Sequence, residues 1–103
     1  MIIREWRGTA ARSNAKAYPK HFHDNVIPEL RSIAGFVGAQ LSCRECDDKV
    51  EFLVLTRWQS LDAVDAFAGP DIDKAVVEPD AVAALVEFDT TVWHYEVLEE
   101  VAA

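Results

Sequence analysis

The residues from 50 to 58 restrict the possible folds of this chain more than any other segment. Read as a strand, they place apolar side chains on both faces, with Phe52, Val54 and Trp58 on one and Leu53 and Leu55 on the other. A strand in an antiparallel sheet with one solvent-exposed face would instead alternate apolar with polar residues. One layer of helices covers only one face of a sheet, so a second surface must cover the other. Another copy of the chain is the simplest such surface, and we expect an obligate homodimer joined sheet against sheet.

The order of elements around this strand predicts an α+β fold. The expected elements are strand 2–8, a helix between 13 and 35, strand 36–45, strand 50–58, helix 61–68 and strand 90–98. This order is the βαββαβ pattern of ferredoxin-like folds, in which the helices pack on one face of an antiparallel sheet. We therefore expect a single domain over residues 1–103, with a frayed tail at 98–103.

Capping residues and prolines predict where the two main helices begin and end. Ser13 is expected to cap the first helix and Ser60 the second, because a serine hydroxyl can accept a hydrogen bond from a free N–H of the first turn. Pro19 and Pro28 interrupt the first helix, since each removes a backbone donor. We expect that helix to bend or to begin at Pro19, and its last turn to be irregular.

The stretch between the second helix and the last strand is harder to interpret. Asp71 is expected to cap one or two further helical turns over 72–77. After the break at 78–80, residues 81–86 fit either a short helix or an extended segment.

Net charge excludes some classes of partner. The 103 residues carry a formal charge of −8 at pH 7. An acidic surface repels phosphate groups, so we expect no nucleic-acid binding and no attachment to an anionic membrane. No apolar run approaches the roughly 20 residues that span a bilayer, and the opening residues do not have the pattern of a secretory signal. We expect a cytoplasmic protein.

Cys43 and Cys46 form a C-x-x-C pair that could indicate redox chemistry or half of a zinc site. The pair falls within a predicted strand, where residues three apart are about 10 Å distant and face opposite ways. That separation exceeds the limit of about 7 Å for a disulfide, and no second cluster has zinc-site spacing. We interpret both residues as reduced strand cysteines and expect no metal site.

Five stretches spread over nearly the whole chain form a recognisable pattern. They are Gly35-Phe36-Val37-Gly38-Ala39, Val50 to Leu55, Arg57-Trp58-Gln59-Ser60-Leu61-Asp62-Ala63, Ala66-Phe67 and Val92-Trp93-His94-Tyr95-Glu96-Val97. Together they resemble the antibiotic biosynthesis monooxygenase family. The resemblance implies a dimeric α+β barrel, in which two ferredoxin-like sheets meet face to face.

The resemblance also implies a function. Members of that family oxidise polycyclic aromatic phenols with molecular oxygen and without metal, flavin or nicotinamide, so no cofactor is expected. A deprotonated, electron-rich substrate can itself pass electrons to oxygen, and the protein supplies an apolar pocket, a proton acceptor and hydrogen bonds to the oxyanion. The leading hypothesis is a cofactor-independent monooxygenase that acts on, or binds, a small aromatic or apolar molecule. The alternative is a non-catalytic ligand-binding or stress-response homodimer on the same scaffold.

A haem-degrading branch of the family provides a third hypothesis, which ranks below the other two. That branch uses an Asn on the first strand, with a Trp and a His around the second helix. By alignment, Trp6, Phe67 and Val77 occupy those three positions in this chain. Without the axial imidazole, another histidine would have to ligate haem.

The three histidines are the candidate catalytic residues, because histidine titrates near neutral pH and can act as a base. His21 and His23 lie on the first helix, and His23 is nearer its apolar stripe on an unbent helix. The resemblance favours His21 instead. His94 lies in the last strand beside Glu96, on a face expected to meet the partner subunit.

Four aromatic residues are the candidate ligand-binding residues, either as a pocket wall for a flat ligand or as ordinary core. They are Trp6, Tyr18, Trp58 and Phe67. Two strand arginines, Arg4 and Arg57, could clamp an oxyanion. The default expectation is that they form surface pairs with Glu5 and Glu51.

Overall fold

Five strands form one antiparallel sheet in a computed structural model that describes residues 1–103. The strands are β1 (Ile2–Ala11), β2 (Phe36–Cys46), β3 (Lys49–Trp58), β4 (Glu87–Phe88) and β5 (Trp93–Glu96). The order across the sheet is β2-β3-β1, and β4 and β5 both pair with the free edge of β1. The expected last strand over 90–98 is therefore shorter than predicted, and β4 precedes it.

Helical segments cover one face of this sheet. They are α1 (Ala17–His21), a π turn (Phe22–Val26), α2 (Ile27–Arg31), α3 (Leu61–Ala68) and α4 (Pro79–Ala84). The arrangement is the predicted ferredoxin-like α+β fold with an antiparallel sheet, its final strand divided in two. None of the helices combines the length and the apolar character that crossing a membrane requires.

The first helix differs from its prediction at both ends and in the middle. Ser13 lies in a 3₁₀ turn and caps nothing, and α1 begins at Ala17, before Pro19. The irregular turn is in the middle, where the Ile27 N–H bonds to the Phe22 carbonyl across five residues. Pro28 explains the change, because it has no N–H for the usual bond to the carbonyl four residues back and its ring crowds that carbonyl.

The second helix is confirmed. The Ser60 hydroxyl accepts a hydrogen bond from the Ala63 N–H at 3.3 Å, and α3 runs over the predicted residues. Gly35 has the positive φ of 90° that turns the chain into β2, and a Cβ atom there would lie 2.5 Å from the Ala63 Cβ. Glycine is therefore needed at this junction both for its backbone conformation and for its lack of a side chain.

The residues from 69 to 78, which we call the 69–78 segment, contain no helix, so the helical turns expected over 72–77 were wrong. Arg4 donates hydrogen bonds to the carbonyls of Ile72 at 2.6 Å and Lys74 at 3.0 Å, and Lys74 forms a β-bridge with Thr91. The Ala75 N–H donates to the Thr90 carbonyl at 2.9 Å, so it is not free for a helical hydrogen bond. The ambiguous stretch that follows contains the end of α4 and then an extended segment.

The two faces of β3 differ in how well the chain covers them. The helix-covered face is buried and contains Val50, Phe52, Val54, Thr56 and Trp58. The opposite face, with Leu53 and Leu55, has no cover from the chain itself. Strand pairing places Trp93 and Tyr95 on that same face, where they are 63% and 50% exposed. The prediction of two apolar faces is confirmed.

Candidate functional site

A cavity of about 60 Å³ lies between the sheet and the helices. Ten of its 14 lining residues are hydrophobic, including Trp6, Tyr18 and Phe67, three of the aromatic residues expected in a pocket wall. The polar lining residues besides Tyr18 are Arg4, His21, Thr56 and Glu78. Pockets for drug-sized ligands have volumes of roughly 300–1,000 Å³, so a flat aromatic ligand requires one wall to move. The 69–78 segment, which forms part of the lining, is the wall with the least regular structure.

His21 is buried in this wall at the end of α1. The Asn25 side-chain amide donates to its Nδ1 at 2.9 Å, and a carboxylate oxygen of Asp80 lies 4.0 Å from the same nitrogen. An acceptor at Nδ1 places the proton of a neutral imidazole on Nε2. Every side-chain nitrogen or oxygen that is fully buried has a hydrogen-bond partner. The Nε2 of His21 has no such partner in the protein, so it is not fully buried. His21 can donate a hydrogen bond from Nε2.

Tyr18 and Glu78 supply two further polar groups. The Tyr18 ring is packed between Trp6 and Phe52, with centroid distances of 5.5 and 5.4 Å. Burial raises the pKa of Tyr18, and the nearby Glu78 carboxylate raises it further, so the hydroxyl stays protonated. Burial also raises the pKa of Glu29, and a hydrogen bond with Glu78 adds to this increase.

Arg4 is only 5% exposed and lines the cavity from β1, so the expected surface pair with Glu5 was wrong. Glu5 instead pairs with Arg7 at 3.1 Å. Burial lowers the pKa of Arg4 to about 10, and Asp73 partly opposes that decrease. Arg4 remains a cation at neutral pH. The period of two along β1 places it on the same face as Ile2 and Trp6, which is the sequence signal that could have identified it.

The pairing predicted for Arg57 was also wrong. Glu51 binds Arg44 at 3.1 Å, and Arg57 forms no ion pair. Its guanidinium instead lies against Gly38 on the neighbouring strand, 2.5 Å from where a Cβ atom would be. Arg57 is remote from the cavity and has no role in the candidate site.

His94 lies on the helix-covered face, so the expectation that it meets a partner subunit was wrong. β5 pairs with β1 in a register that sets His94 opposite Arg4, and directly opposed residues share a face. Its Nε2 accepts from the Arg4 Nη1 at 3.0 Å, and its Nδ1 lies 3.4 Å from an Asp73 oxygen. His94 does not line the cavity and reaches it only through Arg4.

His23 and Trp58 also lie away from the cavity. His23 is exposed on the π turn and lines no part of it. Trp58 is completely buried in the core with Leu30 and Val64, and its Nε1–H donates to the Thr56 hydroxyl at 2.8 Å. The structure therefore brings together His21, Trp6, Tyr18 and Phe67, four of the seven candidate residues.

Potential metal ligands are scattered. No three His, Cys, Asp or Glu side chains come close enough together to hold a metal ion. Cys43 and Cys46 are both free thiols on β2. The C-x-x-C pair therefore forms no disulfide, as its position in a strand predicts.

Family comparison agrees with this architecture. The family model of the antibiotic biosynthesis monooxygenases matches residues 1–79. The chain belongs to that family. In this member of the antibiotic biosynthesis monooxygenases, the matched region includes every residue of the cavity lining except Ala81 and Val92. No curated protein matches the chain at a significant level.

Solved structures similar to this chain share its fold over nearly the full length. A Bacillus cereus protein assigned to the same family has a TM-score of 0.68 and 17% identity, covering 99% of this chain and 97% of that one. The haem degrader MhuD of Mycobacterium tuberculosis, with two haems bound, has a TM-score of 0.65 and 20% identity, with 99% and 100% coverage. SnoaB, a cofactor-independent oxygenase from Streptomyces nogalater, has a TM-score of 0.59 and 16% identity, with 99% and 96% coverage.

The residues of this cavity do not fit haem. Position 77, where the resemblance places the haem-binding histidine, is a valine with no ligand atom. A cavity of about 60 Å³ is also far too small for a porphyrin. Haem therefore has no part in the function proposed below.

Proposed function

We propose that this protein is a cofactor-independent oxygenase that oxidises a small, flat aromatic molecule with an ionisable hydroxyl group. The observation that carries the proposal is the cavity wall, in which three accessible polar groups converge on an otherwise apolar surface. These groups are the His21 Nε2–H, the Tyr18 hydroxyl and the Glu78 carboxylate. Apolar pockets with a few convergent polar groups are the usual form of small-molecule sites.

Each polar group has a role that follows from its protonation state. The Glu78 carboxylate, which lines the cavity, accepts the hydroxyl proton of the substrate. His21 and Tyr18 donate hydrogen bonds to the oxyanion that forms. The ionised substrate then reduces molecular oxygen. One oxygen atom replaces the two hydrogens of a ring CH₂ to give a carbonyl, and the other leaves as water, so the substrate supplies all four electrons.

The working assembly is proposed to be a homodimer. The uncovered face of the sheet contains Leu53, Leu55, Trp93 and Tyr95, and such an apolar face is typical of a protein interface. Pairing two copies through this face leaves both cavities on the outer, helix-covered sides. Each cavity is then complete within one subunit.

A second candidate function is ligand binding without turnover. The small volume of the cavity favours it, because Trp6 and Phe67 occupy space that a substrate would need. A binder would retain the apolar wall and need no proton acceptor. The two functions therefore differ in what Glu78 does.

Oxygen uptake with 1,8-dihydroxyanthrone distinguishes the two functions. We expect consumption above the protein-free rate, about 100-fold lower in Glu78→Gln because a positioned base contributes roughly 10²–10⁴-fold. His21→Phe should lower the rate by about 10-fold or more through the lost donor. The matched control His23→Phe, at an exposed site, should retain the full rate. Binding of the anthrone with uptake equal to the protein-free rate would establish the binder instead.

A further inference from the structure

Arg4 is a buried cation without a carboxylate partner. Its guanidinium donates to two backbone carbonyls and to His94, all of them neutral acceptors. The nearest acidic group, Asp73, contacts His94 rather than Arg4, and its side chain is 76% exposed. Buried charges in proteins are normally paired, because an unpaired one loses its hydration without compensation. The positive charge beside the cavity therefore has no direct ion pair within the chain, and the Asp73 carboxylate acts on it only from beyond His94.

Hydrogen bonds to the protein fix the guanidinium in place and leave some of its N–H groups free. Arginine has five N–H groups, and Arg4 uses three of them in the protein. The Nε of Arg4 bonds to no protein group. Because every fully buried side-chain nitrogen has a hydrogen-bond partner, this Nε is not fully buried. The Phe67 ring lies 5.7 Å from the Arg4 Cζ and covers one side of the guanidinium plane. A donor fixed in this way loses little entropy when a ligand binds.

The cavity is electrically polarised along β1. Arg4 precedes Trp6 by two residues on β1, and the Trp6 ring contacts the ring of Tyr18, on whose hydroxyl the Glu78 carboxylate acts. Two residues of strand correspond to about 6.6 Å, close to the width of a fused aromatic ring system. The Glu78 carboxylate repels anions from its own end. An anionic group on a flat ligand would therefore be directed to Arg4.

We infer that the cavity selects aromatic molecules that carry an anionic oxygen group, a carboxylate or an ionised phenol, at the end opposite their reactive hydroxyl. The inference rests on the proposed function and specifies its substrate class. The anionic oxygen takes the free N–H groups of Arg4, while the reactive hydroxyl faces Tyr18 and Glu78. Neutral aromatic molecules of the same shape bind less well because the charge of Arg4 then stays uncompensated.

Arg4 also has a structural task, so the test compares ligands before it compares variants. Its bonds to Ile72 and Lys74 hold the 69–78 segment, and Arg4→Gln could weaken that segment for reasons unrelated to a ligand. Two probes of nearly identical shape, 6-hydroxy-2-naphthoate and 6-hydroxy-2-naphthamide, differ in whether the terminal group is an anion or a neutral amide. Calorimetry on the unmodified protein measures both affinities.

We expect the carboxylate to bind about 10- to 100-fold more tightly than the amide, as hydrogen bonds to a charged group imply. Arg4→Gln should reduce this ratio to about 3-fold or less. Arg4→Lys keeps the charge but lacks the planar N–H groups of the guanidinium, so it should retain part of this ratio. Arg12→Gln, at an exposed arginine remote from the cavity, should leave the ratio unchanged. Equal or tighter binding of the amide by the unmodified protein would overturn the inference yet leave the proposed function standing. Failure of both probes to bind would also overturn the inference, whereas the proposed function fails only if the anthrone gives no oxygen uptake above the protein-free rate.

Discussion

Arg4, His94 and Asp73 form a chain of contacts that joins β1 to β5 and to the 69–78 segment. The His94 Nε2 faces the Arg4 guanidinium, which can only donate, so the proton of a neutral His94 lies on Nδ1 and points to Asp73. Protonation of His94 would place a second cation against Arg4. The side chain of His94 is only 10% exposed, so water relieves little of that repulsion. This contact chain requires neutral His94.

The same contact predicts a pH dependence of stability. Burial lowers the pKa of His94 below its usual 6.5, and Arg4 lowers it further, while Asp73 only partly opposes the decrease. Below about pH 6.5 the unfolded chain binds a proton that the folded chain resists, so the free energy of unfolding should fall as the pH falls. His94→Gln should remove this part of the slope in thermal unfolding between pH 7 and about 5.5. His23→Gln, at an exposed histidine, should leave the slope intact. Equal slopes for all three proteins would contradict the proposed contact.

The choice between His21 and His23 shows why a site residue can escape sequence analysis. On an unbent helix His23 lies nearer the apolar stripe, yet the structure buries His21 and exposes His23. The reason is α4, which packs against α1 and brings Asp80 within 4.0 Å of His21. Helical periodicity describes one helix, whereas the burial of its flank depends on an element about 60 residues further along the chain.

At the scale of elements, local chemistry decides some boundaries and tertiary contacts decide others. α3 begins where Ser60 caps it and ends at Gly69, whose φ is 82°. The 69–78 segment has similar local signals for a helix at Asp71, but the Ala75 N–H donates to the Thr90 carbonyl and two carbonyls of the segment bind Arg4. Contacts with residues distant in sequence thus override the local preference of the segment.

Two serines test the capping argument directly. Ser60→Ala removes the hydroxyl that accepts the Ala63 N–H, so we expect a loss of about 1 kcal/mol in the free energy of unfolding. Ser13→Ala is the matched control, because Ser13 is exposed and caps no helix in the structure. Urea denaturation of both variants and the parent protein measures the difference. Equal losses for the two variants would contradict this assignment of the caps.

At the scale of the whole molecule, the sheet has one completed face and one open face. The helices bury the side chains of the first, and the second presents Leu53, Leu55, Trp93 and Tyr95. The Glu5–Arg7 ion pair of β1 lies on the same face, between the apolar residues of β3 and those of β5. Exposed apolar side chains of this number are costly in water and are typical of an interface. A two-fold rotation can place this face of one copy against the same face of a second copy.

A charge in the middle of the open face should separate the two copies. Leu55→Asp places a carboxylate where it would be buried in the dimer, and an unpaired buried charge is strongly unfavourable. We expect the parent protein to sediment at about twice the mass of one chain at micromolar concentration, and the variant at the mass of one chain. Val82→Asp introduces the same charge at a residue on α4 that is 47% exposed, so it should remain dimeric. A parent protein that sediments as a monomer would refute the proposed assembly.

The sequence by itself determined the order of the elements from β1 to α3, the cap of α3 and the two apolar faces of β3. All of these depend on short-range geometry, the alternation of side chains along a strand and the hydrogen bonds of a helix terminus. Only the tertiary structure decided that Arg4 is a buried cation, that His21 rather than His23 lines the cavity, and that the 69–78 segment is not helical. Those properties depend on which distant elements come together, because burial and charge are set by neighbours in space, which local periodicity does not specify.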